Sequence, residues 1–281
     1  MGERSRARCV AGALVAKQRQ RRRAAGQGKA QHLLACWPRL AGRMRRAEHL
    51  AVFLDFDGTL VPLRRRPEDV WLDDPARRLL QRLARRSRVT LYLISGRRRP
   101  DLRRRTRVRG AHLLGLHGWE GNGRPPAGIR TLRLLRRAGG LIESRLMGLS
   151  GIWVEDKSFS VAVHYRGAPG GSDRQVRALV QGVVGSSFPD LRLLEGKKVL
   201  EVLPCEVQGK GAAVRAVLAE LPGSPVPVYL GDDTTDEGAF AAIPRGISVC
   251  VGRTGRTQAR FFLRNPQEVM TFLANLEAEL A

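Results

Sequence analysis

The stretch AVFLDFDGTL, Ala51 to Leu60, constrains the fold more than any other part of the chain. Ala51 to Leu54 is a short apolar run without polar alternation, the pattern of a parallel strand buried on both faces. The run ends in two carboxylates two residues apart, Asp55 and Asp57, which an extended backbone directs to the same side of the strand end. Gly58 lets the chain turn sharply, and Thr59 adds a hydroxyl beside freed backbone N–H groups that suit an anion. Open α/β sheets bind ligands at the C-terminal ends of their strands. Acids crowded there are costly unless a hard cation neutralises them, and Mg²⁺ is the natural partner. The ordinary alternative is a strand ending in a solvated acidic turn, and an Asp-x-Asp pair alone does not decide between the two.

The chemistry such a pair permits is phosphoryl transfer. Asp55 attacks phosphorus; Asp57 protonates the leaving alkoxide and then deprotonates the water that releases the phosphate. Further groups for that chemistry follow along the chain. The apolar strand in VTLYLISGRR, Val89 to Arg98, delivers Ser95, Gly96 and Arg97 at its end, where a hydroxyl and a turn N–H can cradle a phosphate oxygen. A helix over Gln208 to Glu220 carries Lys210 in its first turn. VPVYLGDDTTDEGAF, Val226 to Phe240, reads as strand, then Asp232, Asp233 and Asp236, then helix. An acid at a strand end with another four residues later supplies the rest of a magnesium site. In isolation the same cluster reads as compensation of a helix dipole.

The remaining elements suggest two interleaved domains. Helices are expected over Asp74 to Arg86, capped by Asp73 or Asp74, and over Arg99 to Arg105. HLLGLHGWEG reads as a strand and a glycine-rich loop, and NGRPPAG as a linker. Beyond it come an Arg-studded helix over Ile129 to Leu149, with Gly139-Gly140 as a candidate break, and two antiparallel strands, GIWVEDK and SFSVAVHYR. A helix starting at Ser172 or Asp173 and a hairpin turning at Glu195-Gly196-Lys197 complete this α+β insert. GISVCVG is a further strand, Arg260 to Leu263 an edge strand, and Gln267 to Leu280 a closing amphipathic helix. The division expected is a basic, partly disordered arm over 1–47, a core over 48–121 and 204–281, and a cap over 122–203.

The formal charge of +24 is half accounted for by residues 1–47, where thirteen Arg or Lys face Glu3 alone. A basic chain suggests nucleic acid, but aromatics are few and no recognition motif interleaves with the basic runs, so no specific nucleic-acid partner is expected. Cys9, Cys36, Cys205 and Cys250 show neither CxxC nor zinc spacing and fit a reducing compartment. The apolar Cys9 to Ala16 lacks a convincing cleavage site, and no stretch reaches the roughly 18 apolar residues of a membrane span. A cytoplasmic monomer is the expectation.

DFDGTL, ISGR, Lys210-Gly211 at a helix start and GDDTTDE occur together in an order that resembles the haloacid dehalogenase-like phosphatases. GDDTTDE with LHGWEG, EDKSFSVAVHYR and GKKVLEV resembles, within them, the trehalose-6-phosphate phosphatase family, from about His49 to the C-terminus. The resemblance implies an α/β fold, a Rossmann-like core with a parallel sheet and a small inserted α+β cap. It also implies Mg²⁺-dependent hydrolysis of a small sugar phosphate, trehalose 6-phosphate, through an aspartyl-phosphate. Asp55 matches the nucleophile and metal ligand, and Asp57 the acid/base whose backbone carbonyl also meets the metal. Asp232 matches the third protein ligand, with Asp233 and Asp236 supporting the metal site. Ser95 and Lys210 match the groups that hold the phosphate, joined by Thr59 and Arg97. Glu155, Lys157, His164, Arg166, Lys198 and Glu201 match the sugar-reading set, with His117 and Glu120 at the core–cap junction. Gly209, before Lys210, and Leu203, before Pro204, depart from the family pattern. Other sugar phosphates (sucrose 6-phosphate, mannosyl phosphoglycerate) and a polyanion-binding protein on a phosphatase-like core are the alternatives.

Overall fold

A computed structural model describes residues 30–64, 66–121, 129–157, 159–252 and 255–281. The arm over 1–29 and the NGRPPAG linker lie outside them. In chain order the elements are β1 (Gln31–His32), α1 (Trp37–Arg46), β2 (Leu50–Asp55), α2 (Asp74–Ala84), β3 (Val89–Ile94), α3 (Arg99–Thr106) and β4 (His112–Leu114). Then come α4 (Ile129–Leu146), β5 (Trp153–Asp156), β6 (Val161–His164), α5 (Ser172–Ser187), β7 (Leu191–Gly196) and β8 (Val199–Pro204). The last are α6 (Lys210–Glu220), β9 (Val226–Gly231), α7 (Glu237–Ala242), β10 (Ile247–Val251), β11 (Phe261–Leu263) and α8 (Pro266–Glu279). Two compact units divide them, the larger over 30–121 and 208–281 and the smaller over 129–207.

The larger unit is built on a seven-stranded sheet of order β1-β11-β10-β9-β2-β3-β4, with every pairing parallel. All six residues of β2 are buried, as its unbroken apolar pattern requires. Alternate residues of β2 serve opposite faces. Leu50, Val52 and Leu54 pack in one layer with residues of α1, α2 and α8, and Ala51 and Phe53 in the other with residues of α6 and α7. The strand order runs from β2 through β3 and β4 in one direction and from β9 through β10 and β11 in the other. The switch between β2 and β9 is where an open α/β sheet leaves a crevice for a ligand. Asp73 caps α2 by accepting from the Ala76 N–H at 2.8 Å, a contact worth about 1 kcal/mol.

Two expectations change here. Gln31 to Arg46, assigned to the arm, belongs to the larger unit: β1 pairs with β11, and α1 buries Leu40, Ala41 and Met44. The basic helical pattern over Ala30 to Ala47, with Leu40 and Met44 on one face, is legible in the sequence, but not that this face packs into the core. As a result β11 is not an edge strand, because β1 lies outside it.

In the smaller unit an antiparallel sheet of order β5-β6-β8-β7 packs its apolar face on α4 and α5. Val161 and Val163 point into that core with Leu200 and Val202, so Ala162, His164 and Glu201 take the other face. The helix α4 runs unbroken through Gly139-Gly140. A Cβ at Gly139 would lie 3.3 Å from Val161 Cγ2, so the missing side chain serves close packing on β6 rather than a break. Pro204 to Val207, placed in the core from sequence, group with the smaller unit: Cys205 N–H donates to Asp190 O at 2.9 Å, and the Arg192 guanidinium to Val207 O.

Candidate active site

Asp55 ends β2, and Asp232 directly follows β9, its parallel neighbour in the sheet. Strand register therefore brings together two acids 177 positions apart in the chain. The three carboxylates of Asp55, Asp232 and Asp236 are buried, each with an oxygen within 4.8 Å of the others. Two glycines permit this closeness. A side chain at Gly58, whose φ is 88°, would collide with the Asp232 carboxylate, and one at Gly231 with that of Asp236.

Lys210, the first residue of α6, enters the same cluster. Its Nζ donates to Asp55 Oδ1 and to Asp236 Oδ1, both at 2.7 Å. Burial works against the ammonium, yet Asp236 and Asp55 outweigh it and hold its pKa above the ordinary lysine value. Burial pushes the Asp55 carboxyl well above the usual range; Lys210 opposes the shift, and Asp236 and Asp232 add to it. Three acids facing one lysine leave an excess of negative charge in a dry site. Gly209 has a φ of 82°, where glycine is at ease, and the departure from the family pattern there leaves Lys210 pointing inward.

All-oxygen, carboxylate-rich donors of this kind fit a hard divalent cation. Within the cluster the three acids are not equivalent. Asp236 Oδ1 accepts from Lys210 and from the Tyr229 hydroxyl at 2.6 Å, and its Oδ2 from the Asp233 N–H at 2.9 Å. Its lone pairs are largely taken, so direct ligation suits Asp55 and Asp232, with Asp236 behind them. The Asp233 carboxylate accepts from the Thr234 N–H at 2.7 Å and stands outside the cluster.

Asp57 also stands apart from the cluster. Its carboxylate accepts two bonds from the Arg97 guanidinium, at 2.7 Å each. Arg97 further reaches Asp101 at 3.0 Å and Pro67 O at 2.8 Å. Thr59 Oγ1 lies 3.4 Å from Asp55 Oδ2. Ser95 is buried at the end of β3; its Oγ accepts from the Arg97 N–H at 3.1 Å, and its carbonyl from the His117 N–H at 2.8 Å. His117 adopts a left-handed φ of 57° in a 3₁₀ turn. Glu120 accepts from the Arg99 N–H at the start of α3, the position where helix dipole and unpaired N–H groups favour a carboxylate.

On the smaller unit, four of the residues expected from sequence to read sugar, Glu155, Lys157, His164 and Glu201, lie together on the sheet face away from α4 and α5. Glu201 Oε1 accepts from Lys157 Nζ at 3.1 Å and from Ser160 Oγ at 2.8 Å. His164 Nε2 meets Glu155 Oε2 at 2.9 Å. Burial alone would raise the Glu155 pKa; the His164 hydrogen bond and the Lys157 charge reverse this and leave it below the usual value. Arg166 and Lys198 are placed elsewhere. Arg166 donates to Lys197 O at 3.1 Å, and Lys198, at the hairpin turn with φ 64°, pairs with Asp173 of α5 at 2.7 Å.

The family model described as trehalose-phosphatase matches residues 53–267. The chain belongs to the trehalose-phosphatase family. A trehalose-phosphate phosphatase of Mycobacterium tuberculosis is 34% identical in an alignment 249 positions long that covers 83% of this chain and 63% of the relative. The chain thus spans less than two thirds of that relative's length. A solved C. albicans trehalose-6-phosphate phosphatase C-terminal domain superposes with a TM-score of 0.75 at 21% identity, covering 86% of this chain and 96% of that one. A solved trehalose-6-phosphate phosphatase related protein is 26% identical with a TM-score of 0.66, covering 81% and 97%. The fold, a parallel-sheet core with a second, antiparallel sheet, is also similar to that of a solved haloacid dehalogenase-like hydrolase from Bacteroides thetaiotaomicron, with a TM-score of 0.56 at 14% identity, covering 82% of this chain and 99% of that one. No helix among the described residues of this trehalose-phosphatase family member is long and apolar enough to cross a membrane.

Two residues of the site escape sequence reasoning. Tyr229 sits inside the apolar strand VPVYLG and reads as core, although its hydroxyl fixes Asp236; a phenol in an otherwise aliphatic run is the only signal. Asp101 reads as a helix-start acid, although it receives the Arg97, Arg104 and Arg105 guanidinium groups.

Proposed function

We propose that the chain hydrolyses trehalose 6-phosphate to trehalose and phosphate. The observation that carries this reading is the buried cluster of Asp55, Asp232, Asp236 and Lys210, in a chain of this family. Asp55 attacks phosphorus and forms an O–P bond as the bond from phosphorus to sugar oxygen O6 breaks. Asp57 gives its proton to that oxygen, having exchanged Arg97 for the substrate. It then takes a proton from the water that attacks the aspartyl-phosphate, and phosphate leaves with Asp55 restored. Lys210, fixed by Asp236, balances charge on the transferring group, while Ser95 and Thr59 donate to its oxygens. Asp55 and Asp232, with Asp236 behind them and the Asp57 carbonyl, would hold Mg²⁺, which would supply further charge neutralisation.

For the sugar we assign Glu155, Lys157, His164 and Glu201 as hydroxyl-reading groups; fixed carboxylates accept and an ammonium donates in ways an apolar surface does not. The testing experiment is Mg²⁺-dependent phosphate release from trehalose 6-phosphate, sucrose 6-phosphate and glucose 6-phosphate. A kcat/KM at least tenfold higher for trehalose 6-phosphate is expected. Equal rates on all three end the substrate assignment and leave the phosphatase assignment standing.

A further inference from the structure

Among the exposed large hydrophobic residues, Trp153 has surroundings unlike the rest. Trp71, 47% exposed, has the guanidinium groups of Arg104 and Arg105 over its ring, 5.8 and 5.0 Å from the centre, while Leu141 and Met147 lie on or just beyond α4. Trp153 opens β5, is 42% exposed, and shares the sheet face of Glu155 and His164. Its indole lies on the imidazole of His164, its cross-strand partner, with centroids 3.9 Å apart and planes 9° from parallel. The His164 ring is held in turn by Glu155 Oε2 at 2.9 Å. One flat face of the indole is therefore backed by a braced ring, and the residue still leaves a large share of its surface to water. A buried tryptophan removes 150–250 Å² of largely apolar surface from water, so this exposure forgoes stability that a purely structural tryptophan provides.

The rim of this platform is polar and acidic. Glu155 adjoins it, and the Lys157–Glu201–Ser160 group lies on the same sheet face through the pairing of Ala162 with both Glu155 and Glu201. An aromatic face carries the negative part of the ring quadrupole and attracts weakly positive C–H groups. A pyranose ring offers C–H groups on its flat faces and hydroxyls around its edge. Hydroxyls at the edge of such a ring donate to the carboxylate oxygens of Glu155 and Glu201 and accept from the Lys157 ammonium.

We propose that Trp153 is a sugar-stacking subsite, its indole taking the C–H face of one pyranose ring while Glu155 and the Lys157–Glu201 pair bind the hydroxyls at the ring's edge. This rests on the reading of the chain as a sugar-phosphate phosphatase and adds to it a residue that sets substrate preference by contact with the sugar. His164 is the positioning residue beneath it.

The test uses the full chain with Mg²⁺ and two substrates, trehalose 6-phosphate and the sugarless p-nitrophenyl phosphate. Trp153→Ala is expected to raise KM for trehalose 6-phosphate about tenfold while lowering kcat less than threefold. The preference for trehalose 6-phosphate over p-nitrophenyl phosphate, as a ratio of kcat/KM values, is expected to fall about tenfold. Trp153→Phe, which keeps a smaller ring and the same backbone, restores part of that preference. A Trp153→Ala enzyme with the wild-type KM for trehalose 6-phosphate overturns the stacking role, as does an equal loss on both substrates. A wild type that shows no preference for the sugar phosphate overturns the parent reading and the subsite together, which separates the two failures.

Discussion

The two units hold their polar residues in opposite ways. In the larger one, Asp55, Lys210, Asp232 and Asp236 are all buried, and Lys210 ties Asp55 and Asp236 together with bonds of 2.7 Å. On the smaller one, Glu201 is buried, but Glu155, Lys157 and His164 around it stay partly exposed, and Trp153 stays open on one side. Buried charges in fixed geometry are what stabilising a transition state requires, because they need no reorganisation when charge develops. Half-open groups on an antiparallel sheet suit a ligand that must be bound and released. We propose that this difference separates reaction from recognition, with the irreplaceable residues in one unit and graded ones in the other.

The hardest way to break that contrast is to remove the nucleophile. Asp55→Asn is expected to lower kcat by about 10⁴-fold or more while the cooperative thermal transition remains, as read by phosphate release and circular dichroism. Near wild-type activity contradicts the covalent role. Lys210→Met comes next. It leaves Asp55 and Asp236 facing each other without their shared cation and is expected to cost roughly 10²–10³-fold in kcat. Buried pairs broken on one side also destabilise, by about 3–5 kcal/mol, measurable by urea unfolding in the presence of a chelator. On the recognition side, Glu201→Gln is expected to raise KM for trehalose 6-phosphate about tenfold with a smaller change in kcat. A kcat loss as deep as that of Lys210→Met erases the proposed separation.

The elements around DFDGTL and GDDTTDE were legible because each rule of local pattern agrees there. An unbroken apolar run, an acid at its end and a glycine turn all specify the same strand end, and parallel pairing does the rest. Residues 31–46 were not legible as core: Leu40 and Met44 show at helical spacing among arginines, but what their stripe packs against depends on a helix, α8, more than 200 positions later. Arg166 and Lys198 show a second reason. Each has the right chemistry for sugar hydroxyls, but both lie beyond the ends of β6 and β8, where Arg166 donates to Lys197 O and Lys198 pairs with Asp173. The Asp57–Arg97 pair shows a third, since a contact across 40 positions leaves no periodic trace in the sequence.

The smallest expected effect lies at the border of the reaction unit. Asp101 has a pKa of about 2; burial alone would raise it, and hydrogen bonds from Arg105, Arg104 and Arg97 more than reverse that. A carboxyl lowered on folding contributes stability that is complete above its unfolded pKa of about 3.9 and is lost as pH falls towards 2. Allowing for solvent screening of this partly exposed group, the contribution is about 1 kcal/mol. Urea midpoints followed from pH 6 to pH 2.5 are expected to fall less steeply in Asp101→Asn than in the wild type. Parallel curves contradict the assignment.

The most direct test of the central claim is a rapid-quench experiment with trehalose 6-phosphate carrying a labelled phosphoryl group, followed by peptide mapping. The account predicts transient label on the peptide containing Asp55, absent from Asp55→Asn and lost on hydroxylamine treatment. Label on another side chain, or full single-turnover hydrolysis with no protein-bound label at any time, contradicts it.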